Sequence, residues 1–173
     1  MIKQENLFSQ QLRKMTLTDL EQVLAWRNHD SIRLMMFSTN LISLEVHKSW
    51  YEKASVDPNR HLLIYEVEGK AAGFVQLTCI GASGISEWGF YTDPAAPKGT
   101  GKNMAKLVMP YVFQQLNLHK ICGQVLSFNQ RSVRYHEQLG FKLEGRLREQ
   151  HYDGKAYHDV LCFGLLRTDW IGN

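Results

Sequence analysis

The apolar positions of this chain switch several times between a helical and a strand-like spacing, and that alternation restricts the fold more than any single motif does. After Ser43, residues Leu44, His47 and Tyr51 recur at i, i+3 and i+7, the spacing of one helical face. From His61 the spacing shortens to that of strands: His61 to Val67, a turn at Glu68-Gly69, then Ala71 to Ile80, which predicts a hairpin. The loop Gly81-Ala82-Ser83-Gly84 leads to another strand, Ile85 to Tyr91, stopped by Asp93-Pro94 and Pro97 because proline cannot donate to a sheet ladder. Met104, Leu107, Val108 and Tyr111 return to helical spacing and predict a helix from Gly99 to Leu118 with a bend at Pro110. A strand from Lys120 to Phe128 follows, then a helix capped by Asn129 and ending at Leu139-Gly140-Phe141. The last two strands, Leu143 to Tyr152 and Lys155 to Leu166, are joined by Asp153-Gly154, a strong hairpin turn. Near the start, Gln11 to Leu17 reads as a first strand, and Thr18-x-x-Glu21 has the capping-box spacing that opens a helix through Asn28. The order β-α-α-β-β-β-α-β-α-β-β is that of an α/β layer fold, a mixed central sheet flanked by helices.

At 173 residues, 44% of them hydrophobic, the chain has material for one substantial core and reads as a single domain over 1–173. No apolar run approaches the roughly 18 residues of a membrane span, and Met1-Ile2-Lys3-Gln4-Glu5-Asn6 lacks a signal pattern. The expectation is therefore a cytoplasmic protein with no membrane partner. Cys79, Cys122 and Cys162 have no C-x-x-C spacing and lie among apolar neighbours, which predicts buried reduced thiols, no disulfide framework and no metal site. The net charge of +3 conceals an uneven distribution. Between Ala96 and Arg148 stand nine Lys or Arg against only Glu137 and Glu144, while the remainder holds 11 basic and 15 acidic residues. A basic central third points to a polyanionic partner bound locally. Nucleic acid is ranked last, because that segment lacks aromatic residues at stacking intervals.

Lys98-Gly99-Thr100-Gly101-Lys102-Asn103 follows a predicted strand and opens a predicted helix, where unpaired N–H groups and the helix dipole favour a phosphate. It is not a Walker A loop, which would need glycine at Ala96 and a hydroxyl at Asn103, nor a dinucleotide fingerprint, which would need glycine at Met104. Taken with Glu87-Trp88-Gly89-Phe90-Tyr91, Asn129-x-x-Ser132, His136-Glu137-x-x-Gly140-Phe141 and Glu144-Gly145, the chain resembles the GNAT N-acetyltransferase superfamily. The resemblance implies a single-domain GNAT fold and an acetyl-CoA co-substrate, with its pyrophosphate on the amides of the 98–103 turn. Ala96 replaces the leading Arg or Gln of the family's turn. By the same resemblance, Gly89 forms a bulge that frees backbone groups of Phe90, Tyr91 and Thr92 for the pantetheine arm, and Asn129 and Ser132 contact the coenzyme. Both of the latter are also competent helix-cap residues.

The N-terminal third sharpens the match. Trp26-Arg27-Asn28-His29, Met35-Met36-Phe37-Ser38-Thr39, Ile42-Ser43 and His47 with Trp50 resemble the acetyltransferases of bacterial pseudaminic acid synthesis. These acetylate the 4-amino group of a UDP-linked 4-amino-4,6-dideoxy-N-acetyl-β-L-altrosamine, a sugar for flagellin or surface-glycan modification. The implied acceptor residues are Arg27, for the pyrophosphate, and His47, Met36, Phe37 and Thr78. Acetyl transfer to an amine needs a base, an oxyanion donor and a proton for the leaving thiolate. Glu87 is the candidate base, since Gln124 stands where some relatives use a carboxylate, and the Phe90 N–H is the oxyanion donor. His136 keeps the spacing of the family's proton-donating tyrosine, with Tyr135 adjacent. No cysteine has a histidine pattern suggesting a covalent intermediate, so direct attack in a ternary complex is expected. Three other outcomes remain open: acetylation of a protein N-terminus, as by the ribosomal-protein enzymes, a coenzyme-binding regulatory domain without catalysis, and assembly as a homodimer.

Overall fold

A computed structural model describes residues 9–171, so the signal reading of Met1 to Asn6 lies outside the described residues. Seven strands, β1 (Gln10–Lys14), β2 (Arg60–Val67), β3 (Lys70–Cys79), β4 (Ile85–Thr92), β5 (Lys120–Leu126), β6 (Lys142–Tyr152) and β7 (Tyr157–Leu166), form one sheet. Their order is β1-β2-β3-β4-β5-β7-β6. Every neighbouring pair is antiparallel except β4 and β5, which makes the sheet mixed as expected. Helices α1 (Leu20–Asn28), α2 (Asp30–Arg33), α3 (Leu44–Ala54), α4 (Thr100–Pro110), α5 (Gln130–Gln138) and α6 (Arg167–Ile171) complete the layers.

Side chains alternate across a strand, so β2, β3 and β4 feed two cores. Leu63, Tyr65, Val75, Leu77, Trp88, Ile121, Val125, Phe163 and Leu165 meet Met104, Val108, Val112, Phe113 and Val133 on one face. Ile64, Leu62 and Phe74 point the other way, onto Leu20, Val23, Trp26 and Ala54 of α1 and α3. That second core reaches Tyr91 of β4 and no further along the sheet. Glu87, Cys122, Gln124 and Cys162, which alternate with the first core's residues, therefore stand on a stretch of sheet that neither core covers.

Several local expectations change. The first strand ends at Lys14, and the cap of the following helix forms two residues earlier than Thr18-x-x-Glu21, as Thr16 with Asp19. Asp19 accepts from the Thr16 N–H at 2.8 Å, because Arg13 on β1 grips the Asp19 carboxylate with two bonds of 2.7 Å and holds it there. Pro110 has no N–H for the preceding turn, and the chain widens into a π-helical turn over Tyr111–Gln115, where the Leu116 N–H bonds the Tyr111 carbonyl at 2.9 Å. The bend thus takes the form of a wider turn. Gly89 makes no bulge against β3, since the pairing runs unbroken from Gly73 with Thr92 to Cys79 with Ser86. All three cysteines are free but half-buried, because Cys122 and Cys162 lie on the uncovered face of the sheet and Cys79 at a strand end.

Candidate active site

The parallel pairing of β4 with β5 lasts three residues, Ile85 with Lys120, Ser86 with Ile121 and Glu87 with Cys122, and then stops. Beyond it, β4 stays on β3 as far as Thr92, while β5 stays on β7 as far as Leu126. The strands fork because two aromatic groups wedge between them on the core side. Trp88 stacks on Phe141 with centroids 5.3 Å apart, and Phe90 lies 4.9 Å from Tyr135. A fork in a sheet leaves one backbone edge of β4, from Trp88 to Thr92, without a neighbouring strand, an edge that an extended amide-bearing chain can pair. The freed β4 backbone expected from the family resemblance is present, then, without the bulge.

The glycine turn stands beside this edge. Gly99, at φ 95°, takes the left-handed conformation that admits glycine without strain and so starts α4 at Thr100. The amides of the first helical turn have no carbonyl within the helix to bond. Tyr135 of α5 donates to the Gly101 carbonyl at 2.7 Å, fastening α5 against that turn. Among the described residues, Lys98, Lys102, Lys106, Arg131 and Arg134, which flank the starts of α4 and α5, form no ion pair. By contrast Lys120, Lys142 and Arg146 are neutralised by Glu144, Asp169 and Asp159. The excess positive charge is therefore concentrated at the glycine turn. These groups fit a ligand that carries phosphates at one end and an extended amide arm at the other. Asn129 accepts from the Ser132 N–H at 3.2 Å as the cap of α5, and Asn103 is half-buried within α4.

His136 is 2% exposed. Trp88 Nε1 lies 3.1 Å from its Nε2, and its Nδ1 lies 2.8 Å from the Ser132 carbonyl. An indole nitrogen only donates and a carbonyl only accepts, so the ring is neutral with its proton on Nδ1. Burial accordingly draws its pKa below the ordinary histidine value. Both nitrogens are engaged inside the core, and His136 has no N–H left to offer a thiolate. The adjacent Tyr135 keeps a hydroxyl at the glycine turn, with its pKa raised by burial.

On the uncovered face, Glu87 is exposed at the last rung before the fork, opposite Thr78 on β3 and Cys122 on β5. Thr78 accepts from the Gln76 amide at 3.2 Å. The Tyr91 ring packs on Phe74 at 5.2 Å and its phenol interacts with Arg27, while burial raises its pKa. Arg27 closes α1, donates Nη2 to the Ser38 carbonyl at 2.8 Å, and leaves a buried Nη1 without a partner. Met36 is half-buried and Phe37 exposed in the segment after α2, where Phe37 meets His151 of β6 edge-on at 5.5 Å. His47 is 5% exposed and stacked on Trp50, which keeps it from direct contact with an acceptor. The sequence reading did not single out Arg33 or Gly123. A glycine inside a strand does signal a close approach, and a Cβ on Gly123 would sit 2.6 Å from His136 Nε2. Among the described residues no group of three His, Cys, Asp or Glu could hold a metal ion.

A forked β4–β5 pair with a glycine-started helix beside it defines an acyl-coenzyme A transferase architecture, and residues 11–142 match the acetyltransferase (GNAT) domain family. The chain belongs to that family of N-acetyltransferases, which use acetyl-CoA. It is 30% identical over 148 residues to the SPbeta prophage-derived N-acetyltransferase YokL of Bacillus subtilis, covering 83% of this chain and 79% of that one. The spermidine N-acetyltransferase of Vibrio cholerae, in complex with CoA and spermine, superposes with a TM-score of 0.86 at 25% identity, covering 94% and 98%. The acetyltransferase PseH of Campylobacter jejuni is more distant, 23% identical over 125 residues, 72% of this chain and 78% of its own.

Proposed function

We propose that the chain acetylates the 4-amino group of a UDP-linked 4-amino-4,6-dideoxy sugar, as in pseudaminic acid synthesis, by direct attack in a ternary complex. The observation that carries the acceptor class is Arg27, a half-buried guanidinium with its Nη1 unpartnered and no carboxylate paired to it. A buried, unpaired arginine donor suits a phosphate-bearing acceptor and repels a cationic one. The likeness to PseH and the motifs of the N-terminal third support the same reading.

Acetyl-CoA supplies a thioester carbon open to attack by a neutral amine. Glu87, exposed at the fork, takes the amine proton through water as the new C–N bond forms. The Phe90 N–H, on the free edge of β4, faces the carbonyl oxygen as its charge develops. The C–S bond then breaks, and we assign the proton that the thiolate receives to the Tyr135 hydroxyl, which can turn from the Gly101 carbonyl toward the sulfur, whereas the His136 ring is held at both nitrogens in the core. The fold likeness to the spermidine enzyme favours a second reading, polyamine acetylation. Thiol release is to be followed with the UDP-4-amino sugar, spermidine and a ribosomal-protein N-terminal peptide offered separately. Turnover with the nucleotide sugar is expected; release with spermidine or the peptide alone would overturn the acceptor assignment.

A further inference from the structure

Arg27 is not the only cation left short of partners in this part of the molecule. Arg33 of α2 donates Nη1 to the Thr39 carbonyl at 2.5 Å and Nη2 to Asp30 at 2.6 Å, but its Nε is buried without a partner. The two arginines grip consecutive carbonyls, Ser38 and Thr39, so both approach the same stretch of chain. They also interact repulsively with each other. Two half-buried guanidiniums held this close, each with an unspent N–H, cost stability unless a negative group joins them, because a buried donor without a partner retains its full desolvation penalty. Asp30 does not fill that role: its side chain is 75% exposed and it meets only Arg33.

We infer that Arg33, with Arg27, forms a two-arginine clamp for a phosphate group on the acceptor, and that Arg33 determines specificity for anionic over polyamine acceptors. The inference rests on the nucleotide-sugar reading above and names the residue that completes it. The clamp also explains the position of the 34–43 segment. Arg27 and Arg33 hold it from one side, Asn28 bonds both the N–H and the carbonyl of Ile42 at 2.9 and 2.8 Å, and Phe37 reaches His151 of β6.

The test uses the full-length enzyme with Arg33→Gln, which retains an amide donor for the Thr39 carbonyl but removes the charge, and Arg33→Lys, which retains the charge but not the fork. Calorimetric affinity for UDP is measured together with KM for the UDP-4-amino sugar and for acetyl-CoA. In R33Q, UDP affinity should fall about tenfold, the scale of one charge-assisted hydrogen bond, with an equal rise in KM for the sugar. KM for acetyl-CoA should not change, which loss of fold would not produce, and R33K should fall between. Should R33Q not fold, judged by circular dichroism, the R33K shift in KM for the sugar decides. If the variants bind UDP and use the sugar as the wild type does, the clamp is wrong while the sugar reading stands. If the wild type binds no UDP and acetylates only spermidine, both fall.

Discussion

Glu87 owes its place to strand alternation: Trp88 takes the core side of β4, so its neighbour must face the other way, onto sheet that α1 and α3 do not reach. Residue type and position were both legible in the sequence, but not the fact that β5 leaves β4 one step later. As the proposed base, Glu87 has a measurable signature. Glu87→Gln should lower kcat by roughly 10²-fold or more, the usual worth of general base catalysis, without raising KM for acetyl-CoA. His136 shows the opposite case. Its spacing from Asn129 matched a family donor position, yet the nitrogen that would act is occupied by Trp88, a residue 48 positions away. No local pattern announces such a partner. The single hint was Trp88 itself, since a buried indole N–H needs an acceptor. Tyr135→Phe should therefore reduce thiolate protonation, read mainly as a lower kcat, with a smaller rise in acetyl-CoA KM because α5 loses its bond to the Gly101 carbonyl.

At the scale of elements, β5 packs closely on α5 and on Trp88 at the fork. Gly123 on β5 faces His136 and Trp88, and a Cβ there would lie 2.6 Å from one ring nitrogen and 2.8 Å from the other. Neither ring can withdraw without breaking the Trp88–His136 bond. Gly123→Ala should cost about 1–3 kcal/mol, as overpacking does in a filled core, read as a lower urea midpoint. Most elements followed from periodicity, including α3 with Ser43 as its cap, where the Val46 N–H bonds Ser43 Oγ at 3.3 Å. The sequence reading lacked the short α2 and α6, because one turn of helix carries too few residues to show a period. The capping box moved for a different reason: Arg13, from another element, holds the Asp19 carboxylate where it accepts from the Thr16 N–H, and that bidentate pair outweighs the local Thr18-x-x-Glu21 spacing.

For the whole molecule, three partly or fully buried histidines tie stability to pH. His47, His61 and His136 are each held below the ordinary value of 6.5, chiefly by burial. Below about pH 6.5 the unfolded chain takes up protons that the folded chain refuses, so stability, full above that value, declines as pH falls toward the depressed folded pKa values. Thermal midpoints measured from pH 7.5 down to 5.5 should decrease, and a flat profile would show these rings to be solvated. Below about pH 4.5 the Asp19 and Glu66 carboxylates, held low by Arg13, add a second loss of the same sign.

The order of elements, the glycine turn and the basic middle of the chain were determined by the sequence alone, because period, turn chemistry and charge are local properties. They suffice for a mixed α/β acetyltransferase fold. Where β4 parts from β5, which imidazole nitrogen carries the proton, and which guanidiniums lack partners were decided only in the tertiary structure. Each depends on groups far apart in the chain meeting in a dense interior, where a single neighbour changes what a side chain can do.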